Sequence, residues 1–336
     1  MTQTPKKLSR FRSAIALAAA ATLALTGCVS GEGATSGSGD KVLNLDYAYW
    51  NPLSLVIRDQ GWLEQELAAE GYTVNWVLSG GSNVALENLN AEAIDIGSSA
   101  GSAAFAAHAN GAAITTVGVF SQPNWATLVV GKDSTITQVA ELKGKKIAAT
   151  SGTDPYFFLL QALAEVGLSG KDVEIVNLPH AEGQKALESG NVDAWAGLDP
   201  LTATSELKSG SKIIYSNPDF NSWGVLSATS KFLAAKPELV ELVLTQYQRA
   251  RAWILENPQG AVDILAREAQ LDPSVAAKVL TERTKIDVSI VPGETQLAVF
   301  RKIIPVLVAE DRIKSQEAAD QALTTLIDDR IAKKIG

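Results

Sequence analysis

Apolar and polar residues change places along this chain with two periods. Val42 to Tyr47, "VLNLDY", alternates with period two and predicts a strand. From Asn51 to Gly71 the apolar residues return every three or four positions. Leu53, Val56, Ile57, Leu63 and Leu67 then share one face, which predicts a helix. Tyr72 to Leu78 is rich in β-branched and aromatic residues and reads as a second strand. Gly80-Gly81-Ser82-Asn83 is a loop that opens a helix through Leu89. Ile94 to Gly97 is a third strand, Ser102 begins an Ala-rich helix, and residues 112–120 form a fourth strand.

The pattern restarts after Lys143. A strand over Lys146 to Thr150 leads into a loop and a helix over 151–168. A strand over Val173 to Leu178, a loop and helix over 179–190, and a strand over Val192 to Ala196 follow. With Leu89 laid over Leu187, Ile94 falls on Val192 and Asp95 on Asp193. The matched spacing over two consecutive units predicts one βαβ unit used twice, in tandem α/β lobes. Extended segments at Trp125 to Val130 and at 219–230 are placed to carry the chain between lobes and back. The remainder predicts helices over 237–256, 259–270, 273–283, 294–310 and 315–334, with Asn257-Pro258 as a stop. These carry apolar faces without convergent chemistry and are assigned to packing on lobe one.

The N-terminus has another character. Lys6, Lys7, Arg10 and Arg12 precede an apolar run from Ser13 to Leu25, too short to span a bilayer as a mature helix. It ends in Leu25-Thr26-Gly27-Cys28, which resembles a bacterial lipobox, with Cys28 lipidated as the mature N-terminus. Residues 29–40 are Gly/Ser-rich and predict a flexible tether. Removing residues 1–27 takes four positive charges and no acid, which moves the formal net charge from −8 to −12. That balance argues against nucleic acid. Cys28 is the one cysteine and His108 and His180 the two histidines, so no intrachain disulfide or Cys-based metal site is expected, and no metal or cofactor.

Gly97-Ser98-Ser99-Ala100-Gly101 matches G-x-S-x-G, which can mark a nucleophilic serine on a strand-to-helix turn. For a hydrolase using Ser99, an acid and then a histidine should follow. His180 alone comes late enough, too few strands precede the turn, and the aligned Ala196 to Asp199 has no serine. The match is therefore read as accidental, and the turn as a place that aims N–H and hydroxyl groups at a ligand.

The stretches "ELKGKKIAATSGTDPYFFLLQAL", "NLPHAEGQKALESGNVDAWAGLDPL" and "ARAWILENPQGAVDILA" resemble the substrate-binding proteins of bacterial ABC importers. More narrowly they are similar to the branch for nitrate, taurine and aliphatic sulfonates. The resemblance spans nearly all of residues 41–330. It implies an α/β type II periplasmic-binding-protein fold, two lobes joined by two hinge strands, closing on a ligand without catalysis. Residues 41–124 and 225–336 would form lobe one, and 125–224 lobe two. The ligand would be an aliphatic sulfonate or taurine, with nitrate or a thiamine-precursor-like heterocycle as alternatives. The partners would be an ABC permease and its ATPase, and the membrane through Cys28. The protein would work as a monomer outside the cytoplasm.

In open α/β sheets, ligands lie beyond the carboxyl ends of strands, where loops lead into helices. That rule, with the donor chemistry a sulfonate needs, selects Tyr49, Trp50, Asn51, Gly81, Ser82, Asn83, Ser98, Ser99, Gly152, Thr153, Asp199 and Trp223. None of these loops carries Lys or Arg, so helix N-termini would supply the positive field. Asp199 has two readings: a partner for an ammonium group, or the cap of the helix after Pro200. His180 is expected on a surface loop, and His108 in a structural role.

Overall fold

The computed structural model describes residues 41–336 as one compact unit. The expected signal sequence and tether, with Cys28, fall outside the described residues.

Strands β1 (Val42–Tyr47), β2 (Thr73–Leu78), β3 (Ile96–Ala100), β4 (Ile114–Pro123), β10 (Gly224–Thr229) and β11 (Thr284–Lys285) make a first sheet, in the order β11-β4-β10-β3-β1-β2. Strands β5 (Ala126–Val130), β6 (Lys146–Ala149), β7 (Glu174–Asn177), β8 (Ala194–Leu198) and β9 (Lys212–Tyr215) make a second, in the order β7-β6-β8-β5-β9. In each, the first strand of a repeat lies between the second and third and parallel to both. An antiparallel strand then follows, β10 in one sheet and β5 in the other. The duplication extends to single hydrogen bonds. Asp95 Oδ2 accepts from Asn44 N at 2.8 Å, and Asp193 Oδ2 accepts from Lys146 N at 2.8 Å.

Helices follow the parallel strands: α1 (Pro52–Gln60), α2 (Trp62–Ala68), α3 (Ser82–Asn90), α4 (Gly101–Ala109), α5 (Asp154–Glu165), α6 (His180–Glu188) and α7 (Leu201–Thr204). The single helix expected over 51–71 breaks at Gly61, whose φ of 62° lies in the left-handed region that only glycine adopts without strain. The C-terminal part supplies α8 (Ser230–Ala235), α9 (Pro237–Glu256), α10 (Pro258–Glu268), α11 (Pro273–Glu282), α12 (Glu294–Ala309), α13 (Gln316–Thr325) and α14 (Ala332–Ile335). Helices α9 and α10 pack on α1, and α12 and α13 on α4. The packing is not confined to the first sheet, because α11 also meets α7 and α12 meets α5. Among the described residues no helix is long and apolar enough to cross a membrane.

The chain crosses between sheets at Asn124-Trp125 and returns through 216–223. Asn221 ties the two crossings: its Oδ1 accepts from Ala126 N at 2.7 Å and its Nδ2 donates to Asn124 Oδ1 at 3.2 Å. Beside them Asp154, buried at the first turn of α5, accepts from Trp125 Nε1 (2.8 Å), Ser222 N (2.9 Å), Ser222 Oγ (2.7 Å) and Ser102 Oγ (2.5 Å). One carboxylate thus joins α4 of the first sheet, α5 of the second and both crossings. Trp125 also meets Trp50 edge-on, with ring centroids 5.4 Å apart.

Candidate ligand-binding site

A cavity of about 600 Å³ opens where the carboxyl ends of parallel strands from both sheets face each other. The first sheet contributes Tyr49 and Trp50 after β1, Ser79 and Gly80 after β2, and Asn83, Val84 and Glu87 on α3. The second contributes Thr150 and Ser151 after β6, Asn177, Pro179 and His180 around the end of β7, Leu198 at the end of β8, and Asp199, Pro200 and Leu201 after it. Ala269 and Leu271 close the wall beyond α10. Strand polarity explains the convergence, since every parallel strand releases its following loop at the same edge.

Four residues selected from the sequence line this cavity: Tyr49, Trp50, Asn83 and Asp199. The Trp50 indole is 6% exposed, and its Nε1–H finds no partner among the described residues. A buried donor left without an acceptor costs on the order of 1–3 kcal/mol. Gly81 lies directly behind. A Cβ there would sit 2.8 Å from Asn83 Oδ1 and 3.1 Å from His180 Nε2, so glycine lets the two sheets' loops close on each other. Helices α3 and α6 both begin at the cavity, and neither has a side-chain cap. Their first N–H groups and dipoles therefore point positive field at one place.

The other selected residues do not line this cavity. Asn51 caps α1, its Oδ1 accepting from Ser54 N and its Nδ2 donating to Tyr247 Oη at 3.0 Å. Ser98 and Ser99 do not sit on a turn; β3 runs on through Ala100, and both are fully buried inside it. Ser98 donates from N (2.8 Å) and from Oγ (3.0 Å) to Asp46. Burial pushes Asp46 up to about 7, against the opposing pull of those Ser98 donors. Ser99 Oγ has no partner among the described residues. Small polar residues in a strand buried on both faces leave no periodic trace, so the strand end is misplaced when read from the sequence. Ser82 Oγ accepts from Ala100 N, fastening α3 to β3. Thr153 Oγ1 donates to Thr150 O within its own turn, and Gly152, with φ of 76°, lines a separate groove alongside Asn83. Trp223 faces another groove, beside Gly293, because the return crossing turns it away from the strand ends.

Asp199 lines the cavity with its carboxylate already engaged. It accepts from Ala203 N at 3.0 Å, as a cap of α7, and pairs with Arg283 at 3.0 Å. Burial raises it to about 6 against the attraction of Arg283. Among the described lining residues there is no Lys or Arg.

His180 is the residue the sequence undervalues. It is 4% exposed rather than a surface histidine, because α6 starts against Thr150 and Gly81. Nothing in "LPHAEG" betrays that burial, although the strand-end rule marks the neighbourhood. The same rule, applied strictly, would have found Ser79 and Asn177. Ala269 and Leu271 arrive from a distant helix, and no local signal marks them.

Two sheets with the same strand order, joined by two crossings and sharing one cavity at their strand ends, define the periplasmic-binding-protein architecture. The chain belongs to the NMT1/THI5-like family, which matches residues 55–261. It is 30% identical over 247 residues to a putative aliphatic sulfonates-binding protein of Escherichia coli, covering 71% of this chain and 75% of that one. It is 29% identical over 263 residues to a protein of the same description from Bacillus subtilis, covering 76% and 78%. Among solved structures, the alkanesulfonate-binding protein SsuA from Xanthomonas axonopodis pv. citri bound to MOPS superposes with a TM-score of 0.75. That match has 24% identity and covers 85% of this chain and 99% of the other.

Proposed function

We propose that this protein is the extracytoplasmic substrate-binding component of an ABC importer and that it captures an aliphatic sulfonate. The observation that carries the reading is the cavity itself. Two uncapped helix N-termini and the open Trp50 N–H offer donors to an acceptor-only head group, beside apolar walls from Val84, Leu198, Leu201 and Leu271. A sulfonate on an alkyl chain needs both. Nitrate is a four-atom ion and would leave most of about 600 Å³ unused. Because Asp199 is held by Arg283, the lining carboxylate left to an ammonium group is Glu87, exposed on α3 and screened by water, which favours a plain alkyl chain over taurine. The names of the relatives point the same way.

Residues 41–124 with 225–336, and residues 125–224, act as lobes about the two crossings, and the ligand stabilises the shut form by touching both. A permease with its ATPase reads that form. Cys28 anchors a monomer to the membrane by lipid. Capture is without chemistry: Ser99, the candidate nucleophile, is sealed inside β3. The test is titration of the purified full chain with 1-butanesulfonate, taurine and nitrate, followed by tryptophan emission. A saturable change at micromolar butanesulfonate, with weaker taurine and no nitrate response, is expected. No response to any alkanesulfonate at millimolar concentration overturns the reading.

A further inference from the structure

We propose that capture of a sulfonate at this site takes up one proton from solvent, onto Nε2 of His180. The inference rests on the sulfonate reading above. Its ground is a hydrogen-bond chain that fixes the imidazole. The Thr150 hydroxyl has one hydrogen and gives it to Leu178 O at 2.7 Å. The 3.1 Å contact between Thr150 Oγ1 and His180 Nδ1 must therefore be donated by Nδ1–H. In the neutral ring this leaves Nε2 as a bare lone pair. That atom is buried, finds no partner among the described residues, and belongs to a side chain that lines the cavity. It sits beside Gly81, the residue that precedes α3, at the helix N-terminus where an anion would be drawn.

A lone pair facing sulfonate oxygens is repulsive. One proton converts it into a charged donor, and no lining Lys or Arg competes for that part. Without ligand, burial pushes His180 down to about 4, so the ring is neutral at ordinary pH. None of the other titratable groups lining the site can become a cationic donor. Glu87 of α3 and Asp199 of the β8–α7 turn are carboxylates, the latter paired with Arg283, and Tyr49 is a phenol. On its own helix, Glu182 and Lys185 are exposed and pair with each other. The anion thus favours the imidazolium, and by linkage the imidazolium favours the anion.

The probe is 1-butanesulfonate, which does not titrate. Its Kd should weaken roughly tenfold per pH unit where the free ring is neutral and the bound ring charged. With only two histidines in the chain, imidazole ¹⁵N shifts report His180 directly, and His108 serves as the internal reference. At pH 6 the free protein should show a neutral Nδ1–H tautomer, and the saturated protein an imidazolium. Calorimetry in buffers of different ionisation enthalpy should give uptake of about one proton per ligand. In His180→Gln, whose amide donates without titrating, the affinity should lose its pH slope. Binding with a flat profile, a ring that stays neutral in the complex, or a slope that survives in His180→Gln overturns the proposal alone. Absence of butanesulfonate binding at every pH from 5 to 8 overturns the sulfonate reading, and this inference with it.

Discussion

Replacing Asp154 with alanine removes the acceptor on which both crossings converge. Four donors lose their partner, but they are not equivalent. The hydroxyls of Ser102 and Ser222 are 3.1 Å apart and can turn toward each other. The Ser222 N–H and the Trp125 indole N–H have nowhere to go. A buried donor without an acceptor costs about 1–3 kcal/mol, so two give about 2–6 kcal/mol. The carboxylate was itself held above its usual pKa by burial, and its removal returns part of that cost. We expect a net loss of about 3 kcal/mol for Asp154→Ala. Asp154→Asn keeps one carbonyl oxygen for one of the two stranded donors and should lose about half as much. Urea midpoints at pH 7, followed by circular dichroism, measure both. The raised pKa adds a direction. The native state binds this proton more tightly than the unfolded chain, so the wild-type margin over alanine should widen as pH falls through the folded pKa. An alanine variant within about 1 kcal/mol of wild type, or an asparagine variant less stable than alanine, would refute the reasoning.

Three further outcomes are expected. Asp46 is raised to about 7, so wild type should gain stability relative to Asp46→Asn as pH falls from 8 to 4, by roughly 4 kcal/mol in all; parallel urea titrations across that range check it. Arg283→Ala strands the buried Asp199 carboxylate and loosens Glu206, and should cost about 3 kcal/mol in chemical denaturation, with much of it recovered in Arg283→Leu/Asp199→Asn. Gly224→Ala would place a Cβ 2.4 Å from Phe120 Cζ and 2.7 Å from Ser121 Oγ at the start of the return strand. It should lower stability by about 1–3 kcal/mol, partly relieved by Phe120→Leu, as read from thermal midpoints.

The repeating βαβ unit was legible in the chain because buried strands and amphipathic helices impose periods of two and 3.6 on apolar residues. That the unit occurs twice was legible too, and the matched Asp95 and Asp193 make the same bond to the first strand of each repeat. The strand-end rule pointed to loops that border the cavity, and of the twelve residues it selected Tyr49, Trp50, Asn83 and Asp199 line its wall. What each side chain does there depends on neighbours far along the chain. Ser98 turns to Asp46, Asn51 to Tyr247, and Asp199 to Arg283, partners between 52 and 196 residues away. Local pattern carries no information about such partners, since hydrogen bonding is set by distance in space. Burial of His180 is likewise a property of two sheets meeting. The sequence determined which loops gather at the cavity; only the tertiary packing decided which of their polar groups find a partner within the protein and which do not.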